Sequence, residues 1–121
     1  MKISIAITAI ICIGFFSNCT YENREDLQKV DSCELEEVTF SDNVQRILST
    51  RCGACHGASL QEAGVSMLGH ENVLKIVNNG KLLKVINHAP GFPQMPQGGP
   101  KLPDCEIKQI QKWVDEGALN N

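Results

Sequence analysis

The last 89 residues of the 121-residue chain predict an all-α domain of three to four helices. Three observations carry this. Apolar residues recur at i, i+3, i+4 spacing in three separate segments, the signature of helices with one buried face. Strand-like alternation competes nowhere. The stretch "HAPGFPQMPQGGPKLP", residues 88–103, holds all five prolines of the chain, so it is a long shaped loop and no helix or strand interior. The chain carries only four Phe, one Tyr and one Trp. That is a thin aromatic complement, and a buried prosthetic group could add apolar bulk. No internal repeat is present.

The N-terminus reads as a targeting segment, residues 1–18. Lys2 is a positive n-region, and "ISIAITAIICIGFF" is an apolar run fit for a signal peptide and short for a membrane span. "FSNCTYENRED" follows, and its Cys19 just past the apolar run resembles a lipobox. By that resemblance the chain is cut before Cys19, whose sulfur then carries diacylglycerol. Asn18 departs from the usual small residue, which leaves an ordinary signal peptide or an uncleaved anchor as alternatives. Each reading exports the protein, as a membrane-anchored lipoprotein of the periplasm or cell surface in the first case. Residues 19–32 are polar and acidic, which suits a solvated tether. The folded domain is then 33–121.

Within it, "TFSDNVQRILSTRC" predicts the first helix, with Ser41 as N-cap, Asp42 at the positive helix end, and Val44, Ile47 and Leu48 on one face. Gly57 and Gly64 mark a loop. "HENVLKIVNNG" predicts a second helix with Val73, Leu74 and Val77 inward and Gly80 beyond its end. "KLLKVIN" adds a further turn or two. "DCEIKQIQKWVDEGAL" predicts the last helix, capped by Asp104, ended by Gly117 and striped by Ile107, Ile110, Trp113 and Val114.

The chemistry lies in "RCGACHGASL", which places Cys52, Cys55 and His56 within five positions. Two thiols one helical turn apart with an adjacent histidine form the c-type haem attachment pattern: the thiols add to the two vinyl groups and the histidine faces the iron. Zinc would need more ligands, and a set of Cys33, Cys52, Cys55 and Cys105 could supply them. A thioredoxin-like dithiol would need a βαβ context. Haem agrees best with export and an all-α pattern. The other cysteines then find uses: Cys12 leaves with the signal peptide, Cys19 takes lipid, and Cys33 and Cys105 pair as a disulfide in an oxidising compartment. Two free buried thiols are the alternative.

A second axial ligand is sought among Met67, His70, His88 and Met95. Met95 lies between Pro93 and Pro96 in the rigid loop, where a thioether can be pressed onto a metal. Met67 reads as core, His70 as a surface or hydrogen-bonding group, and His88 as the chief rival.

These residues, with the Trp113 helix, make the chain similar to class I cytochrome c, and in particular to small exported lipoprotein monohaem cytochromes. "TFSDNVQRILSTRCGACHG", "NGKLLKVINHAPGFPQMPQGGPKL" and "DCEIKQIQKWVDEGALNN" carry the resemblance. It implies a bundle of three to four helices around one covalently attached haem c and its iron. Its first and last helices cross, so that the Val44 face meets the Trp113 face. The family's backbone carbonyl partner for the iron-bound histidine has no evident place, because "GASLQEAGVSML" lacks the usual proline.

Saturation of the iron by His56 and Met95 implies an electron carrier and no enzyme. The alternative is a haem enzyme subunit or gas-binding sensor with a displaceable distal ligand. Redox proteins are the expected partners, docking at the exposed haem edge, and the domain acts as a monomer or as a subunit of a respiratory assembly. Residues 72–103 contain no Asp or Glu but include Lys75, Lys81, Lys84 and Lys101. These either steer docking to an acidic partner or are simply solvated. A net charge of −3 argues against nucleic acid as a partner.

Overall fold

The computed structural model describes residues 33–121. Residues 1–18 and 19–32, read above as signal peptide and tether, lie outside the described residues, and Cys19 with them. A π-helical turn, Phe40–Val44, runs directly into helix α1, Gln45–His56. A 3-10 turn, Glu62–Gly64, precedes α2, His70–Asn78, and α3, Leu82–Ile86. The long loop then leads to α4, Asp104–Asp115. Among the described residues no strand forms, and one isolated bridge pairs His56 with Gln61. The all-α expectation holds.

Helix boundaries follow local chemistry, with two corrections. The first helical segment is capped by Thr39 rather than Ser41. Thr39 Oγ1 accepts from the Asp42 amide at 3.1 Å, and Asn43 Oδ1 accepts from the Thr39 amide at 2.9 Å, a reciprocal cap. The start moves upstream because Phe40 is buried, its ring 5.4 Å from Trp113 and edge-on to His70 at 5.0 Å. That contact draws Phe40 into the first turn and leaves Ser41 exposed. At α4, extended Pro103 is the cap residue and its carbonyl accepts from Ile107 at 3.1 Å. Asp104 is the first helical residue and lies 3.8 Å from Lys101 instead.

Three helices end in one motif. After α2, the Gly80 amide donates to Val77 at 2.8 Å and Lys81 to Ile76 at 3.2 Å. After α4, Gly117 donates to Val114 and Ala118 to Trp113. After α3 the same two bonds run from His88 to Val85 and from Ala89 to Lys84. Each is a Schellman cap, whose turning residue adopts positive φ. Gly80 and Gly117 do so at 71° and 96°, and the third position is His88 at 55°.

One apolar core joins these elements. Val44, Ile47 and Leu48 share it with Ile107, Ile110 and Trp113, and the 40–44 turn packs on α4. Val73, Leu82, Val85 and Ile86 extend it through α2 and α3. No polar or charged residue is buried among the described residues. Each fully buried Leu, Ile or Val contributes about 1.5–3 kcal/mol. The segment after α4 fastens three elements. Leu119 O accepts from Trp113 Nε1 at 2.8 Å, Ala118 O faces His70 Nε2 at 2.7 Å, and Asn121 accepts from the Phe40 and Ser41 amides. Cys33 and Cys105 form a disulfide with Cα atoms 5.3 Å apart, tying the start of the domain to the first turn of α4.

Candidate functional site

Helix α1 carries Cys52, Cys55 and His56 in its last turn and a half. Cys52 is half-buried against the core, Cys55 is exposed, and both thiols are free. α1 stops at His56 because Gly57 turns extended there. A Cβ at Gly57 would collide with the Gly53 carbonyl oxygen, so the turn needs glycine.

The chain then folds back over the histidine. Its turn passes through Ala63 and Gly64, both at positive φ. Val65 O arrives 3.2 Å from His56 Nδ1, and the Met67 amide donates to the His56 carbonyl at 2.8 Å. A carbonyl can only accept, so Nδ1 carries a proton, and in the neutral ring Nε2 presents its lone pair. A backbone carbonyl thus reaches His56 although the segment after the motif has no proline. No side-chain signal could have revealed it, since the donor is a histidine and the acceptor a main-chain oxygen.

Cys52, Cys55 and His56 line a cleft of about 310 Å³ together with Met95, Pro96, Ala63 and a few polar residues. Met95 is half-buried, and both its backbone groups are held. Its amide donates to Val85 O at 3.1 Å and its carbonyl accepts from His88 Nε2 at 3.1 Å. The other ligand candidates are occupied elsewhere. Met67 is buried in the core, His70 binds Ala118 O, and His88 binds the Met95 carbonyl. Of the four, only Met95 lines the cleft.

The four-cysteine zinc set loses two members, because Cys33 and Cys105 are joined to each other. Burial pushes the Cys52 thiol up to about 11, with smaller contributions from Cys55 and Glu106.

Charge at the cleft comes from Arg51 and Glu62, and none of Lys75, Lys81, Lys84 and Lys101 lines it. Lys84 instead lies over the Phe92 ring at 4.6 Å. Arg51 forms a two-pronged bond to Glu106 of α4, Nε to Oε2 at 2.9 Å and Nη2 to Oε1 at 2.7 Å, a pairing that raises the Arg51 pKa. The pair ties the residue before Cys52 to the residue after Cys105, and nothing in the sequence marked the two as partners. Comparison with protein-family models, with curated proteins and with solved structures finds no match for this chain.

Proposed function

We propose that this protein is an exported monohaem cytochrome c that carries single electrons. Cys52 and Cys55 would hold one haem through thioether bonds, with His56 and Met95 as its axial ligands. The observation that carries the reading is the bond from His56 Nδ1 to Val65 O. It leaves an Nε2 lone pair in the same cleft as two free thiols and a thioether. This donor set fits a covalently attached haem.

Bound there, the group supplies a one-electron ferric–ferrous couple. The chain's own residues would set how that couple behaves. The Val65 carbonyl would fix the orientation of the His56 ring, as carbonyl partners do for metal-binding histidines. The soft Met95 sulfur would favour the reduced state, and apolar neighbours would disfavour the extra charge of the oxidised state. With His56 and Met95 both bound to it, the iron would offer substrate no open site, which argues for a carrier rather than an enzyme. Export and anchoring rest on the N-terminal segment and on Cys19. The partners would be redox proteins that meet the cleft edge, with the membrane reached through lipid.

The test is expression with haem-maturation machinery, followed by a pyridine haemochrome assay and carbon monoxide titration. One haem per chain, a far-red sulfur-to-iron band in the ferric protein and no carbon monoxide binding are expected. Met95→Ala then abolishes the far-red band and admits carbon monoxide. A chain recovered without haem refutes the proposal. A wild-type protein that binds carbon monoxide readily at neutral pH would instead be the sensor or haem-enzyme alternative.

A further inference from the structure

The motif that ends α3 differs from the other two in one respect. Where α2 and α4 turn on glycine, α3 turns on His88 at φ 55°. A side chain in this left-handed region is sterically penalised, and among non-glycine residues asparagine, aspartate and histidine are the ones enriched there. A glycine would make the same turn without that cost, so the imidazole at position 88 calls for another reason. The structure supplies one. The ring is half-buried, and its Nε2 lies 3.1 Å from the carbonyl oxygen of Met95.

We infer that His88 is the positioning residue for Met95, a role that rests on Met95 being the distal ligand. Two bonds from α3 fix the Met95 backbone. Val85 O accepts the Met95 amide, and His88 donates Nε2–H to the Met95 carbonyl. Val85 and His88 belong to the last turn and the cap of α3, which is anchored by buried Leu82, Val85 and Ile86. The helix end therefore grips the loop at its ligand residue, closing residues 89–94 into a short loop. Lys84 over Phe92 adds a contact from the same helix to the middle of that loop. The left-handed turn is what aims the ring. With position 88 in helical or extended conformation, the Cβ would leave the backbone in another direction. Both the neutral Nε2–H form and the charged imidazolium can donate, so the grip needs no particular protonation state.

His88→Gly and His88→Gln separate the ring from the turn. Glycine keeps the left-handed turn and deletes the donor, whereas glutamine keeps an Nε2 donor of similar reach. In His88→Gly, hydrogen exchange of the amides in 89–97 should rise about fivefold, the effect of one lost bond of ordinary strength. Exchange in α1 and α4 should stay at the wild-type level. This readout reports on the chain with or without haem. In the haem-loaded protein the same variant should lower the reduction potential, weaken the far-red band and bind carbon monoxide faster. His88→Gln should recover part of each change. Unchanged exchange and an unchanged far-red band in His88→Gly overturn the inference while leaving Met95 ligation intact. Absence of the band in the wild-type protein overturns both.

Discussion

Replacing Cys33 and Cys105 by serine removes a covalent tie across 72 residues of sequence. In the chain-entropy description, a closed loop of this length restricts the unfolded chain by roughly 4 kcal/mol. A domain of this size has a total stability of about 5–10 kcal/mol, so the tie amounts to a large part of the whole. The fold should survive its loss at room temperature because other contacts hold the same segment. Val38 is buried, Leu35 packs on the core, Gln109 Nε2 donates to Glu34 O at 3.0 Å, and Thr39 caps the first helical turn. For a domain of 60–100 residues, 1 kcal/mol corresponds to about 4–8 °C in Tm. Thermal unfolding of the Cys33→Ser/Cys105→Ser variant, followed by far-UV circular dichroism, should show a Tm about 15–30 °C lower with native helix content at 20 °C. A thiol reductant should lower the wild-type Tm equally, because the tie it removes is the same Cys33–Cys105 bond. A shift below about 5 °C would refute the loop-entropy reasoning for this domain.

Two further outcomes follow from the core and from the thiols. Trp113→Phe removes buried volume and the donor to Leu119 O, and should cost about 2–3 kcal/mol in urea unfolding, visible as a lower midpoint at unchanged slope. A loss below about 1 kcal/mol would mean the tail after α4 is not held through Trp113. For Cys52, burial raises the folded-state pKa to about 11 from an ordinary value of 9.0. The unfolded chain releases that proton first, so the haem-free protein should lose stability as pH rises between these values and be insensitive to this group below them. In a haem-free Cys55→Ser variant, iodoacetamide should accordingly label Cys52 slowly at pH 8 and faster towards pH 11. Rapid labelling at pH 7 would contradict a buried thiol.

The sequence by itself determined the elements. Helical spacing located α1, α2 and α4, because burial of one face demands that period wherever a helix packs. The Cys52, Cys55 and His56 grouping was legible because it is local to one helical turn. The disulfide was legible by cysteine count, since pairing requires only that two sulfurs remain. What tertiary structure decided were the contacts made through backbone atoms and across distance. The Val65 carbonyl on His56, the His88 ring on the Met95 carbonyl and the Arg51–Glu106 pair all depend on where turns deliver the chain. The cap at Thr39 rather than Ser41 belongs with them, because burial of Phe40 against Trp113 chose it. Carbonyl oxygens are the same at every residue, so their roles carry no mark in the sequence. Only the path of the chain after Gly57, and after α3, brings them to the two residues that face the cleft.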